Sequence, residues 1–301
     1  MTLGRRIGLD LPQLEEGRSG DPGLFGPGSE VWRVGRERIL LLGGPAALLL
    51  QLAHPLVAAG VADHSGFLAD PFARLRATLD ATLRISFGDG EQVQEAAARV
   101  GATHRRVHGI LPAMVGLFPA GTPYSASDPE LAMWVHAALL SVAMETYELL
   151  VGGLSCPRRE RYYQEAGRFA RLFGVTDQVL PASYQAFMAY LRSIQQGELL
   201  TVGDQARSLA EQVLRPPVPA FLGLTKPASR AVTAALLPPR IRDQYGLRLG
   251  VAERTLLHVI VRTVRATITV WPRRLRYWEH YLTACDRTLD SIDRSRKDGT
   301  T

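Results

Sequence analysis

Cysteine is scarce in this 301-residue chain, which contains only Cys156 and Cys285. The two residues lie far apart and form no CxxC pair, so they provide neither a disulfide framework nor a zinc knuckle. A reducing, cytoplasmic location is the simplest interpretation of this usage. The first residues, MTLGRRIGLDLPQLEEG, contain acidic residues and proline but no apolar segment, so we expect no secretory signal there.

Lysine is equally rare, because Lys226 and Lys297 are the only two in a chain with 35 basic residues and a net charge of +6. The arginines that make up the difference are spread along the chain in twos and threes. No known nucleic-acid-binding motif accompanies them. A positive net charge alone indicates only solubility and nonspecific attraction, so we predict no nucleic-acid partner.

Long uninterrupted hydrophobic runs are also missing. The apolar stretch from Ile39 to Ala62 has the length of a membrane span, but glycine and proline at 43–45 and His54-Pro55 divide it. Because proline cannot continue the hydrogen bonds of a helix, we expect two short helices buried in a protein core. A membrane span is the alternative, and a peripheral membrane contact stays open.

The helical pattern is clear, whereas sustained period-two alternation and internal repeats are absent. Asp70-Pro71 and Asp128-Pro129 each place a capping carboxylate before a proline at the first helical position. The sequence predicts an all-α, single-domain fold with helices at Pro71–Phe87, Glu91–His108, Pro129–Val151, Pro157–Phe173, Pro181–Gln196, Asp204–Leu214, Lys226–Leu237, Pro239–Tyr245, Val251–Val270 and Pro272–Asp293.

The common nucleotide-binding, zinc-protease and serine-hydrolase motifs do not occur, so the histidines are the main candidates for chemistry. In the helix predicted at 91–108, His104 continues an apolar stripe of Val93, Ala97 and Val100, which places it on the buried face. A buried core histidine is one interpretation, and a ligand of a metal or haem iron is the other. His104 and His108 are four residues apart, which would also let both bind one metal.

Helix 71–87 offers companions for His104. Arg74, Ala77 and Thr78 share one face beside an apolar stripe, an arrangement that suits a helix lining a cavity. There Arg74 could pair with a propionate or bound oxygen, and Thr78 could donate a hydrogen bond. The alternative is a solvated helix edge.

The remaining histidines and the cysteine before Pro157 receive weaker assignments. His54 and His64 flank the interrupted apolar stretch, while His258 and His280 are expected to be helix-face residues without a role. We expect Cys156 to cap a helix, with thiolate ligation of haem as the alternative.

Five segments together resemble the DUF2236 family, which includes rubber oxygenases and a fungal oxygenase of the mycophenolate pathway. The segments are GLFGPGSEVWRVGRERILLLGGPAALLLQLAHPLVAAGVADHSGF, DPFARLRATLDATLRISFGD, AAARVGATHRRVHG, DPELAMWVHAALLSV and LPPRIRDQYGL. The resemblance covers about residues 21–285. It divides the chain into an N-terminal arm (1–20), a helical oxygenase domain (21–293) and a flexible tail (294–301).

The resemblance implies a globin-related helical core that holds haem b. The family's Arg-x-x-Lys-Thr motif falls on Arg74, Ala77 and Thr78, and its proximal histidine on His104. Ala77 replaces the lysine that can occupy the distal side of the iron in rubber oxygenases. The WVHA histidine is His136, to which we assign a structural role.

The resemblance therefore predicts a haem-dependent oxygenase or peroxygenase that uses dioxygen or peroxide on a small apolar or lipid-like substrate. Cleavage of a rubber polymer is not carried over, because the distal lysine is missing and the family's distal carboxylate has no clear match. A non-catalytic sensor or carrier of haem or an apolar ligand is the alternative, and a haem-free interaction scaffold is a third.

Overall fold

The structure is a computed structural model that describes residues 11–64, 71–214 and 226–298, without the side chains of residues 71, 72, 74 and 290–298. Of the described residues, 68% are helical, in fourteen α-helices with only two short strands beside them, which confirms the all-α prediction. The α-helices are α1 Glu30–Gly35, α2 Gly44–Leu52, α3 Pro55–His64, α4 Pro71–Phe87, α5 Gly90–His104, α6 Pro129–Leu150, α7 Cys156–Leu172, α8 Tyr184–Gln196, α9 Asp204–Leu214, α10 Lys226–Leu236, α11 Pro239–Gln244, α12 Val251–Thr267, α13 Arg273–Arg276 and α14 Glu279–Asp298.

Local capping explains why most helix boundaries follow from the sequence. The side chain of Asp128 accepts hydrogen bonds from the backbone N–H groups of Glu130 and Leu131 at the start of α6. Asp89 and Gln92 form a capping box that begins α5. The helix predicted from Pro181 instead begins at Tyr184, because Ser183 accepts the N–H of Ala186.

Helix α6 is the centre of the core. It is 22 residues long and apolar around most of its circumference, and twelve of its residues are buried. It packs mainly against α2, in which Leu49, Leu50 and Leu52 are also buried. Trp134 on α6 donates a hydrogen bond from Nε1 to the carbonyl oxygen of Gln51 on α2, 3.3 Å away. A helix that is hydrophobic all round is stable only when other elements surround it.

The apolar stretch 39–62 is divided as the sequence predicts. A 3₁₀ helix spans Arg38–Gly43, α2 follows it, and α3 begins at Pro55. In the described part of the chain, no single helix has the length and apolar character of a membrane span. The segments Arg38–Leu52 and Pro55–His64 meet those criteria only together, and they are bent by 107°.

Two departures from the predicted elements come from tertiary contacts. The helix predicted to run to His108 ends at His104, and His108–Ile110 (β1) pairs antiparallel with Pro123–Ser125 (β2). The last helix is divided into α13 and α14, because Tyr277 is extended and pairs with Glu37 while the N–H of Trp278 donates to the carbonyl oxygen of Arg36. Helix α14 then continues to Asp298, beyond the predicted end at Asp293. The division into arm, domain and tail stays a prediction.

Candidate functional site

His104 lies at the C-terminal end of α5 and is half-buried. Its ring faces that of Phe173, which follows α7, with 6.1 Å between the ring centroids. The flanking Arg105 and Arg106 are exposed, as their helical positions predict. The expectation of a buried histidine is therefore met only in part, since His104 is intermediate in exposure rather than fully buried.

A second histidine belongs to the same aromatic cluster. The ring of His136 on α6 stacks on Phe169 at 6.5 Å, and Phe169 contacts Phe173 at 4.9 Å. The Nε2 atom of His136 is buried and has no hydrogen-bond partner among the described residues. Burial lowers the pKa of His136 to about 4, so its imidazole is neutral near pH 7.

This unpartnered nitrogen is unusual for a residue with a purely structural role. Buried polar atoms are nearly always hydrogen-bonded, because an unsatisfied one costs free energy. Sequence reasoning assigned His136 a structural role from the WVHA motif and did not predict that its Nε2 atom lacks a partner. The signal lay in its position within a helix that is apolar on all sides.

Helices α4 and α5 bring the start of α4, with Arg74, Ala77 and Thr78, to the same end of the fold as His104. The two helices pack together and are joined by only Gly88 and Asp89, so they run antiparallel. The start of α4, which carries Arg74, therefore lies beside the end of α5. Ala77 and Thr78 are exposed on α4, and the side chain of Arg74 lies outside the described residues.

His64 and His108 are brought together at a different place. The Nε2 atom of His64 lies 2.9 Å from the carbonyl oxygen of His108, so Nε2 carries the proton and donates it. His108 belongs to β1 rather than to α5. The helical four-residue spacing that would let His104 and His108 bind one metal is therefore not formed.

His54 lies between α2 and α3, at the interruption of the apolar stretch. It is buried against Phe118, with 5.2 Å between the ring centroids, and its Nδ1 atom has no hydrogen-bond partner in the described ranges. Burial lowers its pKa to about 4. His54 is thus a second neutral, unsatisfied imidazole, and its aromatic neighbour differs from that of His136.

The structure also tests the expectations for three further residues, Cys156, His258 and His280. Cys156 is exposed as the first residue of α7, whereas the N-cap position is occupied by Ser155. His258 is exposed, but His280 is buried in α14 with an unpartnered Nε2 atom, contrary to the expectation of an ordinary helix-face residue.

Metal-ligating side chains are scattered rather than grouped in the described part of the chain. Within residues 11–64, 71–214 and 226–298, no three histidine, cysteine, aspartate or glutamate side chains are grouped closely enough to hold a metal. Protein sites for bare metal ions generally need three or four such ligands, whereas the porphyrin itself supplies four donors to a haem iron. One half-buried imidazole beside aromatic rings is therefore compatible with haem.

Two cavities in the described structure lie apart from His104. An open depression of about 640 Å³ is lined by Ser125, Pro129, Thr176 and neighbouring residues. A smaller cavity of about 160 Å³ lies between the segment 111–115 and the start of α9. Neither includes His104 or His136 in its lining.

Comparison with known proteins defines the class. Residues 32–266 match the family described as "ER-bound oxygenase mpaB/B'/Rubber oxygenase, catalytic domain". The match covers most of the chain, which therefore belongs to this family of oxygenases. Oxygenases act on a substrate together with oxygen.

Two mycobacterial proteins are similar to this chain. They are the uncharacterized protein Rv2237 of Mycobacterium tuberculosis and the uncharacterized protein Mb2261 of Mycobacterium bovis. Each is 26% identical over 238 residues, which covers 76% of this chain and 89% of the relative. No solved structure gives a significant match.

Proposed function

We propose that this protein is a haem b-dependent oxygenase or peroxygenase that acts on a small apolar or lipid-like molecule with dioxygen or peroxide. The observation that carries the proposal is the position of His104, half-buried at the end of α5 beside an aromatic cluster. Membership of an oxygenase family supports the reaction class. We also propose a cytoplasmic location, which rests on cysteine usage alone.

His104 is the proposed proximal ligand of the haem iron. Neutral imidazole is the most frequent protein donor to haem, and His104 is a half-buried histidine at a helix end. A bound haem would supply the redox chemistry that no amino-acid side chain provides. The protein's own contribution would be to hold the group and to exclude water from the apolar substrate.

Arg74 and Thr78 are the proposed polar neighbours of the haem group. Antiparallel packing of α4 and α5 supports this role for Arg74, because it places residue 74 at the end of the hairpin that carries His104. A guanidinium there would hold a propionate through charge-assisted hydrogen bonds. The exposure of Thr78 is compatible with a role at the edge of the pocket.

The test is to replace His104 by Ala and measure haem content and the visible absorption spectrum. We expect the variant to lose the Soret band, since its iron donor is gone. His258→Ala is the matched control, because His258 is an exposed histidine on α12. A His104→Ala protein that keeps the wild-type haem stoichiometry and spectrum would show that another residue binds the iron.

Activity separates the two classes of function. An oxygenase consumes oxygen or peroxide and forms product from an apolar substrate, and the variant that lacks the iron ligand should lose this activity. A protein that binds haem through His104 but turns over no apolar substrate would instead be a sensor or carrier.

A further inference from the structure

The segment from Arg254 to Trp278 has an unusual charge pattern. It contains six arginines and no aspartate or glutamate, and it comprises most of α12, a 3₁₀ turn at Ile268–Val270, and α13. None of the 17 residues of α12 is buried. A helix of this length usually buries an apolar stripe. Because α12 has no buried residue, its outer side is available to a partner.

Three arginines of this segment are uncompensated. Arg262, Arg273 and Arg274 are exposed, and no ion pair joins any of them to an acidic group in the described part of the chain. Their neighbours are engaged elsewhere: Arg276 binds Glu37, and Arg265 donates to backbone carbonyl oxygens at the end of α6. The uncompensated charges are thus free to meet an external anion.

Exposed aliphatic side chains lie among these arginines along the chain. Val270 is 79% exposed, Leu275 is 66% exposed and Val259 is 54% exposed. Val259 and Arg262 are three residues apart on α12, Val270 ends the 3₁₀ turn that follows α12, and Leu275 directly follows Arg274 on α13. We call this set of six residues the arginine face; it comprises Val259, Arg262, Val270, Arg273, Arg274 and Leu275.

A second apolar element adjoins the arginine face. Helix α13 packs against the 3₁₀ helix Arg38–Gly43, and Nη1 of Arg38 donates to the carbonyl oxygen of Arg274 at 3.2 Å. Leu40 and Leu41 of that 3₁₀ helix are only partly buried. The basic surface therefore continues into a surface with partly exposed leucines.

We propose that the arginine face binds the surface of a membrane that contains anionic lipids. Cationic side chains are attracted to anionic headgroups, and the aliphatic side chains between them enter the boundary with the acyl chains. Nucleic acid would engage the arginines but leave the aliphatic side chains in water. A symmetric dimer through this face would bring like charges together. Docking on lipid would also give access to the lipid-like substrates of the proposed function.

Vesicle sedimentation of the purified full-length protein tests this proposal. We expect binding to vesicles of phosphatidylcholine with about 30% phosphatidylserine, little binding to phosphatidylcholine alone, and weakening by salt. Arg273→Glu with Arg274→Glu should lower the partition coefficient by at least about thirtyfold. Val270→Ser with Leu275→Ser should lower it while keeping the salt dependence.

The matched control is Arg192→Glu with Arg207→Glu, which changes the net charge by the same amount at exposed sites on α8 and α9. Equal loss of binding in this control would show that net charge alone is responsible and would overturn the proposal. Failure to bind either kind of vesicle, or binding of duplex DNA through Arg273 and Arg274 without binding to vesicles, would also overturn it.

Tryptophan fluorescence gives a second readout. Trp271 is half-buried between the exposed Val270 and α13, and its Nε1 donates to Oγ1 of Thr267. Its emission should shift to the blue when anionic vesicles are added, because indole near a membrane interface leaves water. Trp271→Phe should remove this shift without preventing binding. An unchanged wild-type spectrum with bound vesicles would contradict the position of the arginine face at the membrane.

Discussion

The burial of His280 predicts a pH dependence of folding stability that one substitution can isolate. Its side chain lies in α14 with 3% residual exposure, and its Nε2 atom has no partner in the described structure. Burial lowers its pKa to about 4 from an ordinary 6.5, while Asp80 and Arg84 make smaller contributions of opposite sign. In the unfolded chain the imidazole regains its ordinary pKa.

The sign follows from which state binds the proton. Between pH 6.5 and pH 4 the unfolded chain protonates this histidine and the folded protein does not, so acidification favours unfolding. Relative to neutral pH, His280 should cost about 2 kcal/mol of folding stability at pH 5. This penalty is absent well above pH 6.5, grows as the pH falls, and reaches its full size below about pH 4.

The perturbation is His280→Leu, which removes the titrating group and keeps an apolar side chain of similar size. Near pH 7.5 we expect little change in stability, because the lost imidazole nitrogen had no hydrogen-bond partner. At pH 5 the variant should be more stable than the wild type by about 2 kcal/mol. The assay is urea denaturation followed by circular dichroism at several pH values.

His54 and His136 act in the same direction, so the comparison rests on the difference between variant and wild type. His258→Leu serves as the control, because it removes an exposed histidine. If the stability difference between His280→Leu and wild type is the same at pH 5 and pH 7.5, then His280 is either protonated in the folded protein or accessible to water, and the reasoning is refuted.

Three other changes test the site and the core. Because Ala77 stands at the position of the family's lysine, the ferric protein should be high-spin and bind imidazole rapidly. Ala77→Lys should shift its visible spectrum towards six-coordinate, low-spin iron. A wild-type protein that is already low-spin and indifferent to imidazole would contradict this. Glu37→Gln should cost about 3 kcal/mol in urea denaturation, because Arg276 would lose its carboxylate partner in the interior; a cost below about 1 kcal/mol would argue against a strong pair. Gly43→Ala should lower the free energy of unfolding by about 1–3 kcal/mol, because the new Cβ would collide with Oγ1 of Thr146. Adding Thr146→Ala should recover part of this loss. Full additivity of the two substitutions would show that the collision is not the cause.

Sequence reasoning succeeded where a local interaction determines the structure. Pro71, Asp128-Pro129 and Asp204 define helix starts that the structure reproduces, because capping and proline geometry depend only on adjacent residues. The family was also identifiable from ordered motifs, since these are properties of the chain itself.

Tertiary contacts decided the features that no local pattern encodes. The pairing of Tyr277 with Glu37 divides the last predicted helix, and strands of three residues are too short to show alternation. The unsatisfied nitrogens of His136 and His280 arise because distant helices exclude water from them. Likewise, Arg273 is uncompensated because, among the described residues, no acidic side chain is folded beside it. Helix formation depends on neighbours in sequence, whereas burial and charge compensation depend on neighbours in space.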